Sequence, residues 1–350
     1  MTAPAAAADA RPRLCVVLPA RDAAATLDVC LAALAASLAA AAGAFAAAEI
    51  VVVDDGSRDG TAAAAARHGA TVLPTQGASQ GAAAARNRGA AAADADVLLF
   101  VDADVEVETE AVSALLAALA APGVDAAVGV YAPCDAALGP WSRTKDRSIR
   151  INHGRSGRDI AWFWTALGAV RCSAFRRVGG FDVGRFGAGA TVEDMDLGLR
   201  LSAAGCRIVQ VPEARARHGH RFSPEGLLRN DFAKSHAWTR LLLRQRRGAQ
   251  RAHGSTRGSE AAALACSLTA LAGVAATPLT PWAGVPLTAA GLTALAWLLR
   301  EDLALAHAER GAGEAAIHLL VRALAYPAAG AGAAAGVLAE ARDALRGGAR

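Results

Sequence analysis

The stretch Val97-Leu98-Leu99-Phe100-Val101-Asp102-Ala103-Asp104-Val105 decides how this chain is read. Its apolar run is too short for a helix and has the unbroken hydrophobicity of a strand buried on both faces. Two carboxylates stand at i and i+2 where that strand ends. In extended or turning backbone this spacing lets both side chains converge on one hard cation, which takes oxygen ligands. Open α/β sheets bind ligands beyond the carboxyl ends of their strands. A carboxylate pair there can hold a divalent metal against a phosphate-bearing substrate. A solvated Asp-x-Asp turn is the plain alternative, and the neighbouring motifs choose between the two.

Upstream, Leu14–Leu18 reads as a strand ended by Pro19, with Ala20-Arg21-Asp22 as the loop after it. Leu27, Leu31, Leu34 and Leu38 then recur at the helical period. Glu49–Val53 is the next strand, followed by Asp54-Asp55-Gly56-Ser57-Arg58-Asp59-Gly60-Thr61. Such a strand-to-helix turn offers a carboxylate to a base or ribose and backbone N–H groups to phosphate. A calcium loop fails, because Ala66 stands where a bidentate Glu is needed. No Gly-Lys-Ser/Thr occurs, so no P-loop fits. Ala70–Pro74, a Gly-rich loop over 76–81 and a helix over 82–93 with Arg86, Asn87 and Arg88 lead into the central strand. Alternating strands and helices predict a parallel sheet covered on both faces.

Beyond Pro133 the pattern loosens. Residues 140–160 read as a basic loop or short helix, and Trp162–Val170 as apolar and aromatic. Glu193-Asp194-Met195-Asp196 opens a helix ended by Gly205, Arg207–Val211 is a last strand, and His218-Gly219-His220 falls in the loop after it. Pro224–Arg247 reads as a long basic helix.

Residues 261–299 carry no charge, and Pro278, Pro281 and Pro286 split them. Each half, of roughly 17 residues, meets the lower limit for a bilayer span. Arginines at 240, 244, 246, 247, 251 and 257 precede the run and Arg300 follows it. That is the positive-inside pattern of a hairpin with both ends in the cytosol. A buried Ala-rich hairpin is the soluble alternative. A third apolar stretch, 315–339, is expected in the membrane interface or packed on the hairpin.

Composition agrees. The 350 residues carry a net charge of +4, with acids crowded into 49–110 and bases into 140–257. An acidic cleft beside a basic half suits anionic substrates or a membrane surface. Aromatics are only 5% and no nucleic-acid module appears, so nucleic acid is not an expected partner. The six cysteines show no metal-ligand spacing, and Cys15 and Cys30 read as buried hydrophobes of a reducing compartment. Residues 1–13 lack a signal-peptide core and read as a disordered lead, placing the catalytic part in the cytosol.

In this order the motifs resemble family 2 glycosyltransferases. Leu18-Pro19-Ala20-Arg21-Asp22, Val52–Thr61, Ala85-Arg86-Asn87-Arg88-Gly89 and Phe100–Asp104 are similar to the nucleotide-sugar half. Val178-Gly179-Gly180-Phe181-Asp182 and Glu193–Leu201 are similar to the acceptor half. The resemblance covers roughly 14–245 and implies a Rossmann-like GT-A fold: a mostly parallel sheet with helices on both faces, here followed by a C-terminal apolar helical hairpin. It implies inverting transfer of a sugar from a nucleotide diphosphate sugar to a hydroxyl acceptor, with Mg²⁺ or Mn²⁺. Carried over, Pro19, Asp22, Asp55, Arg86 and Asp102 are the donor-binding positions and Asp104 is a metal ligand. Asp194 matches the catalytic base. The helix dipole keeps its carboxyl ionised while Glu193 opposes this. His218 is the candidate second metal ligand, and Trp162, Trp164 and Glu193 are acceptor-side candidates.

Gln245-Arg246-Arg247-Gly248 does not match the Gln-x-x-Arg-Trp of processive members, which implies one sugar per encounter. The expected organisation is a lead over 1–13, a donor half over 14–135 and an acceptor half over 136–247. A basic linker over 248–260, a membrane hairpin over 261–299 and a helical or interfacial segment over 300–350 complete it. The expected place is the cytoplasmic membrane, with a membrane-bound or lipid-linked acceptor. The Arg-rich 143–158 would attract the anion of a polyprenyl phosphate, the alternative acceptor. A non-catalytic nucleotide-sugar-binding scaffold is the alternative of a different class.

Overall fold

The apolar runs of the sequence become the spine of a nine-stranded sheet among the described residues. The structure, a computed structural model, describes residues 11–75, 78–135, 137–184, 192–219, 221–244 and 258–347. The chain divides into two compact units, one of residues 1–132 with 158–219 and one of 133–157 with 220–350.

The first unit begins with β1 (Arg13–Ala20), α1 (Ala24–Ala40), β2 (Ala47–Asp54), α2 (Thr61–Arg67), β3 (Thr71–Pro74), α3 (Ala82–Ala92) and β4 (Val97–Val101). These strands pair in parallel in the order β3-β2-β1-β4. All five residues of β4 are buried, as a strand covered on both faces must be. Pairing of β1 with β4 stops at Val17 opposite Phe100. Pro19 lies past it, where its missing N–H costs no ladder bond.

The rest of the sheet is mixed. β5 (Val105–Val107), α4 (Ala111–Ala120) and β6 (Ala126–Tyr131) follow. After an excursion into the second unit through α5 (Pro140–Arg155) come β7 (Asp159–Ile160), β8 (Leu167–Arg171), α6 (Cys172–Arg177), α7 (Glu193–Ala203) and β9 (Ile208–His218). β8 lies antiparallel between β4 and β6, and β9 runs parallel to β6 but antiparallel to β5 and β7. The parallel α/β half is therefore completed by antiparallel strands. β9 also runs on through Pro212 to His218, past the expected end at Val211. The ladder absorbs this with a register irregularity between Val128 and Val130. His218 thus stands on a strand, directly opposite Val105.

The second unit is helical. It is built from α5 with α8 (Pro224–Arg244), α9 (Gly258–Ala276), α10 (Pro281–Leu298), α11 (Arg300–Arg310) and α12 (Ala312–Gly347). α9 and α10 form the expected apolar hairpin. The basic stretch 140–160 proves to be largely helix α5, with Pro140 at its first turn. Its arginines are committed within the unit. Arg143 reaches Glu314 at 2.7 Å, Arg147 reaches Glu309 at 2.9 Å and Arg150 reaches Asp146 at 2.8 Å. Arg155 reaches Glu301 at 2.8 Å. These pairs tie α5 to α11 and α12. The six cysteines are free thiols.

Candidate active site

The Asp102-Ala103-Asp104 turn is held from several sides. The Thr26 hydroxyl donates to the Ala103 carbonyl at 3.0 Å, the Val105 N–H to Asp102 O at 3.1 Å and the Gly219 N–H to Asp104 O at 2.8 Å. The Cys30 thiol donates to Asp102 O at 3.5 Å, and burial pushes its pKa up to about 12, so it stays protonated. Because β5 leaves this turn to pair with β9, His218 Nε2 comes to 3.6 Å from Asp104 Oδ2. Tyr131 sits edge-on behind it, 5.4 Å between ring centroids, and Trp164 stands edge-on to Tyr131 at 4.2 Å. Trp164 is 9% exposed and Trp162 2%. Both are packed into the unit rather than open as stacking platforms. His220 lies outside the described residues.

Arg86 projects from α3 and is 4% exposed. Its Nη2 donates to Asp102 Oδ1 at 2.7 Å and its Nη1 to Glu193 Oε1 at 2.9 Å. Burial alone would lower its pKa, but Asp102 and Glu193 outweigh burial and hold it above the ordinary guanidinium value. Glu193, expected on the acceptor side, is thus engaged with Arg86. Its Oε2 and Arg86 Nε are buried with no hydrogen-bond partner among the described residues.

Asp194 follows Glu193 in the first turn of α7, where the dipole favours a carboxylate. It is half-buried, and its Oδ1 accepts the Met195 N–H at 2.7 Å. Next on the helix, the buried Asp196 accepts from Arg200 Nε at 2.6 Å. Arg200 in turn donates to the Val178 and Gly180 carbonyls at 2.8 and 2.7 Å. From the other side, Asn87 holds Phe181 by both backbone groups, at 2.8 and 2.9 Å. The Gly179-Gly180-Phe181 turn is therefore a clip between α3 and α7.

The donor-side candidates form a second network. Asp22 has φ +48°, uncommon outside glycine though tolerated by Asp. Its N–H donates to Ser57 Oγ at 3.0 Å, and its Oδ1 accepts the Arg58 N–H at 2.8 Å. The loops after β1 and β2 are thereby stitched together. Asp55 is buried and accepts from Thr75 Oγ1, Ser79 Oγ and the Gln80 and Gly81 N–H groups at 2.6–3.1 Å. Burial would raise its pKa, but these donors prevail and hold it below the ordinary Asp value. It orders the loop leading into α3. The pattern of the sequence did not show this role, since three of the donors are in a loop without periodicity.

Asp104 and His218 offer oxygen and nitrogen to a divalent cation. Among the described residues no third His, Cys, Asp or Glu completes a metal-holding cluster. The pair would suit a divalent cation only if other groups, such as substrate oxygens and water, supplied the rest of its ligands.

A family model described as Glycosyl transferase family 2 matches residues 15–184. The N-acetylglucosaminyl-diphospho-decaprenol L-rhamnosyltransferase of Mycobacterium tuberculosis is 35% identical over 124 residues, 35% of this chain and 37% of that protein. The chain therefore matches little more than a third of that relative's length. Among solved structures, the mannosyltransferase PcManGT of Pyrobaculum calidifontis, in complex with GDP-Man and Mn²⁺, superposes with a TM-score of 0.55 at 18% identity. That likeness covers 93% of this chain and 87% of the other, and concerns the fold. Residues 15–184 thus carry a glycosyl transferase family 2 domain on a GT-A fold.

Proposed function

We propose that the protein is an inverting, non-processive glycosyltransferase. It moves a sugar from a nucleotide diphosphate sugar to a hydroxyl of a lipid-linked acceptor at the cytosolic face of a membrane. The observation that carries this reading is the Arg86 bridge, which ties Asp102 at the donor edge to Glu193, the residue beside Asp194.

Asp194 is the general base. Its carboxylate takes the acceptor O–H proton while the oxygen bonds the anomeric carbon from the face opposite the nucleotide. The bond from that carbon to the phosphate oxygen breaks, and its electron pair leaves with the nucleotide diphosphate. Asp22, Asp55 and their loops shape the nucleotide end, with Pro19 at the edge of β1. Asp104 and His218 would hold Mg²⁺ or Mn²⁺, which when bound would supply charge neutralisation at the departing diphosphate. PcManGT, solved in complex with GDP-Man and Mn²⁺, supports this choice of ligand class.

The lipid-linked acceptor is supported by the decaprenol substrate named for the rhamnosyltransferase relative. Helices apolar and long enough to cross a membrane support it too. The test supplies a radiolabelled nucleotide sugar with detergent-dispersed polyprenyl diphosphate sugars. Label is expected in the organic phase. Label confined to water-soluble glycans would remove the lipid acceptor.

A further inference from the structure

By length and composition α9 and α12 can each cross a bilayer, and α10 with α11 can if the bent pair is one span. They cannot all do so. α10 and α11 meet at 82°. α11 and α12 fold back on each other across Gly311, at φ +81°. Asp302 of α11 lies 3.7 Å from His318 of α12, and Leu299 shares a core cluster with Ala323 and Tyr326. The first turns of α12 therefore run steeply across α10. A bilayer normal can follow α10 or α12, not both.

The charges decide which. α12 runs parallel to α8 at very close range. A Cβ on Gly332 would meet Phe232 O at 2.1 Å, and one on Gly336 would meet His236 O at 2.7 Å. Arg240 reaches Glu340 and Asp343, each at 2.6 Å. The second half of α12 thus shares its depth with α8, whose exposed positions include Arg229, Lys234 and Arg244. Charged side chains facing hydrocarbon are costly.

The hairpin has the opposite character. Residues 261–299 carry no charge, and Leu268, Val274, Leu279, Trp282, Val285 and Trp297 are exposed. Helices of 19 and 18 residues are about 27–28 Å long, close to the hydrocarbon thickness of about 30 Å. Trp282 stands near the tip. At the base the Arg300 guanidinium lies 5.2 Å over the Trp297 ring, a pairing suited to the headgroup level. α12 instead shows an apolar stripe of Ile317, Leu320, Leu324, Leu338 and Leu345, at helical spacing and suited to lying in the interface plane.

We propose that the α9–α10 hairpin alone enters the bilayer, and that α12 lies along the surface with its apolar stripe against the acyl boundary and α8 beside it. This rests on the membrane association proposed above. The test fuses green fluorescent protein or alkaline phosphatase ahead of residue 1 and behind residue 350 of the full chain in bacterial cells. Both fluorescent fusions should glow and both phosphatase fusions should be inactive. An active phosphatase behind residue 350 with an inactive one at the front overturns the proposal, because α12 would then cross. Alkaline carbonate extraction provides the second arm. The wild type should stay in the pellet, Leu268→Asp at mid-hairpin should move at least half of the protein to the supernatant, and Leu338→Asp should not. The reverse order of the two variants overturns the proposal. Complete release of the wild type removes the membrane reading itself.

Discussion

Arg86 and Glu193, 107 residues apart in the chain, are joined at 2.9 Å, and the same guanidinium holds Asp102 at 2.7 Å. The end of β4 and the start of α7 are therefore one electrostatic unit. Arg86→Met leaves two carboxylates without their cation. Removing one partner of a buried pair costs about 3–5 kcal/mol, and urea unfolding should show a loss of that size. Arg86→Met combined with Glu193→Gln should recover part of it. An additive double variant would mean the two side chains are not coupled.

Asp104 and His218 are proposed as the protein's share of a metal site. His218→Ala should raise the Mn²⁺ concentration for half-maximal nucleotide-sugar binding at least tenfold, about 1.4 kcal/mol. Asp104→Ala should raise it further. Calorimetric titration of metal at fixed donor measures both, and unchanged metal affinity in His218→Ala would take that residue out of the site.

Asp55 is ionised at neutral pH and hydrogen-bonded by four donors. Its folded pKa lies below the ordinary 3.8, so its stabilising contribution is complete above that value. The contribution is lost as pH falls through the lowered folded pKa. Asp55→Asn should cost about 1.5–3 kcal/mol at pH 7, as for hydrogen bonds to a charged group. It should also flatten the acid limb of the stability curve and raise the donor KM. An unchanged acid limb would assign acid unfolding to other carboxylates.

Gly180 sits at φ +67°, and a Cβ there would meet Asn87 Oδ1 at 2.6 Å. Gly180→Ala should destabilise by about 1–3 kcal/mol, the scale of one strained residue. It should lower kcat more than donor affinity, because the clip positions α7. Thermal unfolding and donor titration separate the two effects.

Much of the fold was legible because buried parallel strands announce themselves. Leu14–Leu18, Glu49–Val53 and Val97–Val101 each read as strands and became β1, β2 and β4. What an apolar run does not encode is direction, so Leu167–Arg171 gave no sign of lying antiparallel beside β4. β9 was cut short at Pro212, since proline argues against a central strand and only the irregular ladder with β6 tolerates it. The full length of α5 is not legible, because its buried positions include Thr144, Arg147 and Ser148. A helix that buries charge against distant carboxylates has no hydrophobic period to read. At the site, the sequence showed the acidic residues but not their partners. That Asp55 orders a loop, and that Glu193 faces Arg86, depends on contacts set by the tertiary fold.

The most direct test of the central claim is nucleotide release from UDP-, GDP- and dTDP-sugars with Mn²⁺ or Mg²⁺, comparing wild type with Asp194→Asn in detergent. One donor should be turned over, and Asp194→Asn should lose about 10²-fold or more in turnover, as for removal of a general base, while still binding that donor. Turnover undiminished in Asp194→Asn would contradict that claim, as would a protein that binds a donor with metal but never consumes it even with acceptor present.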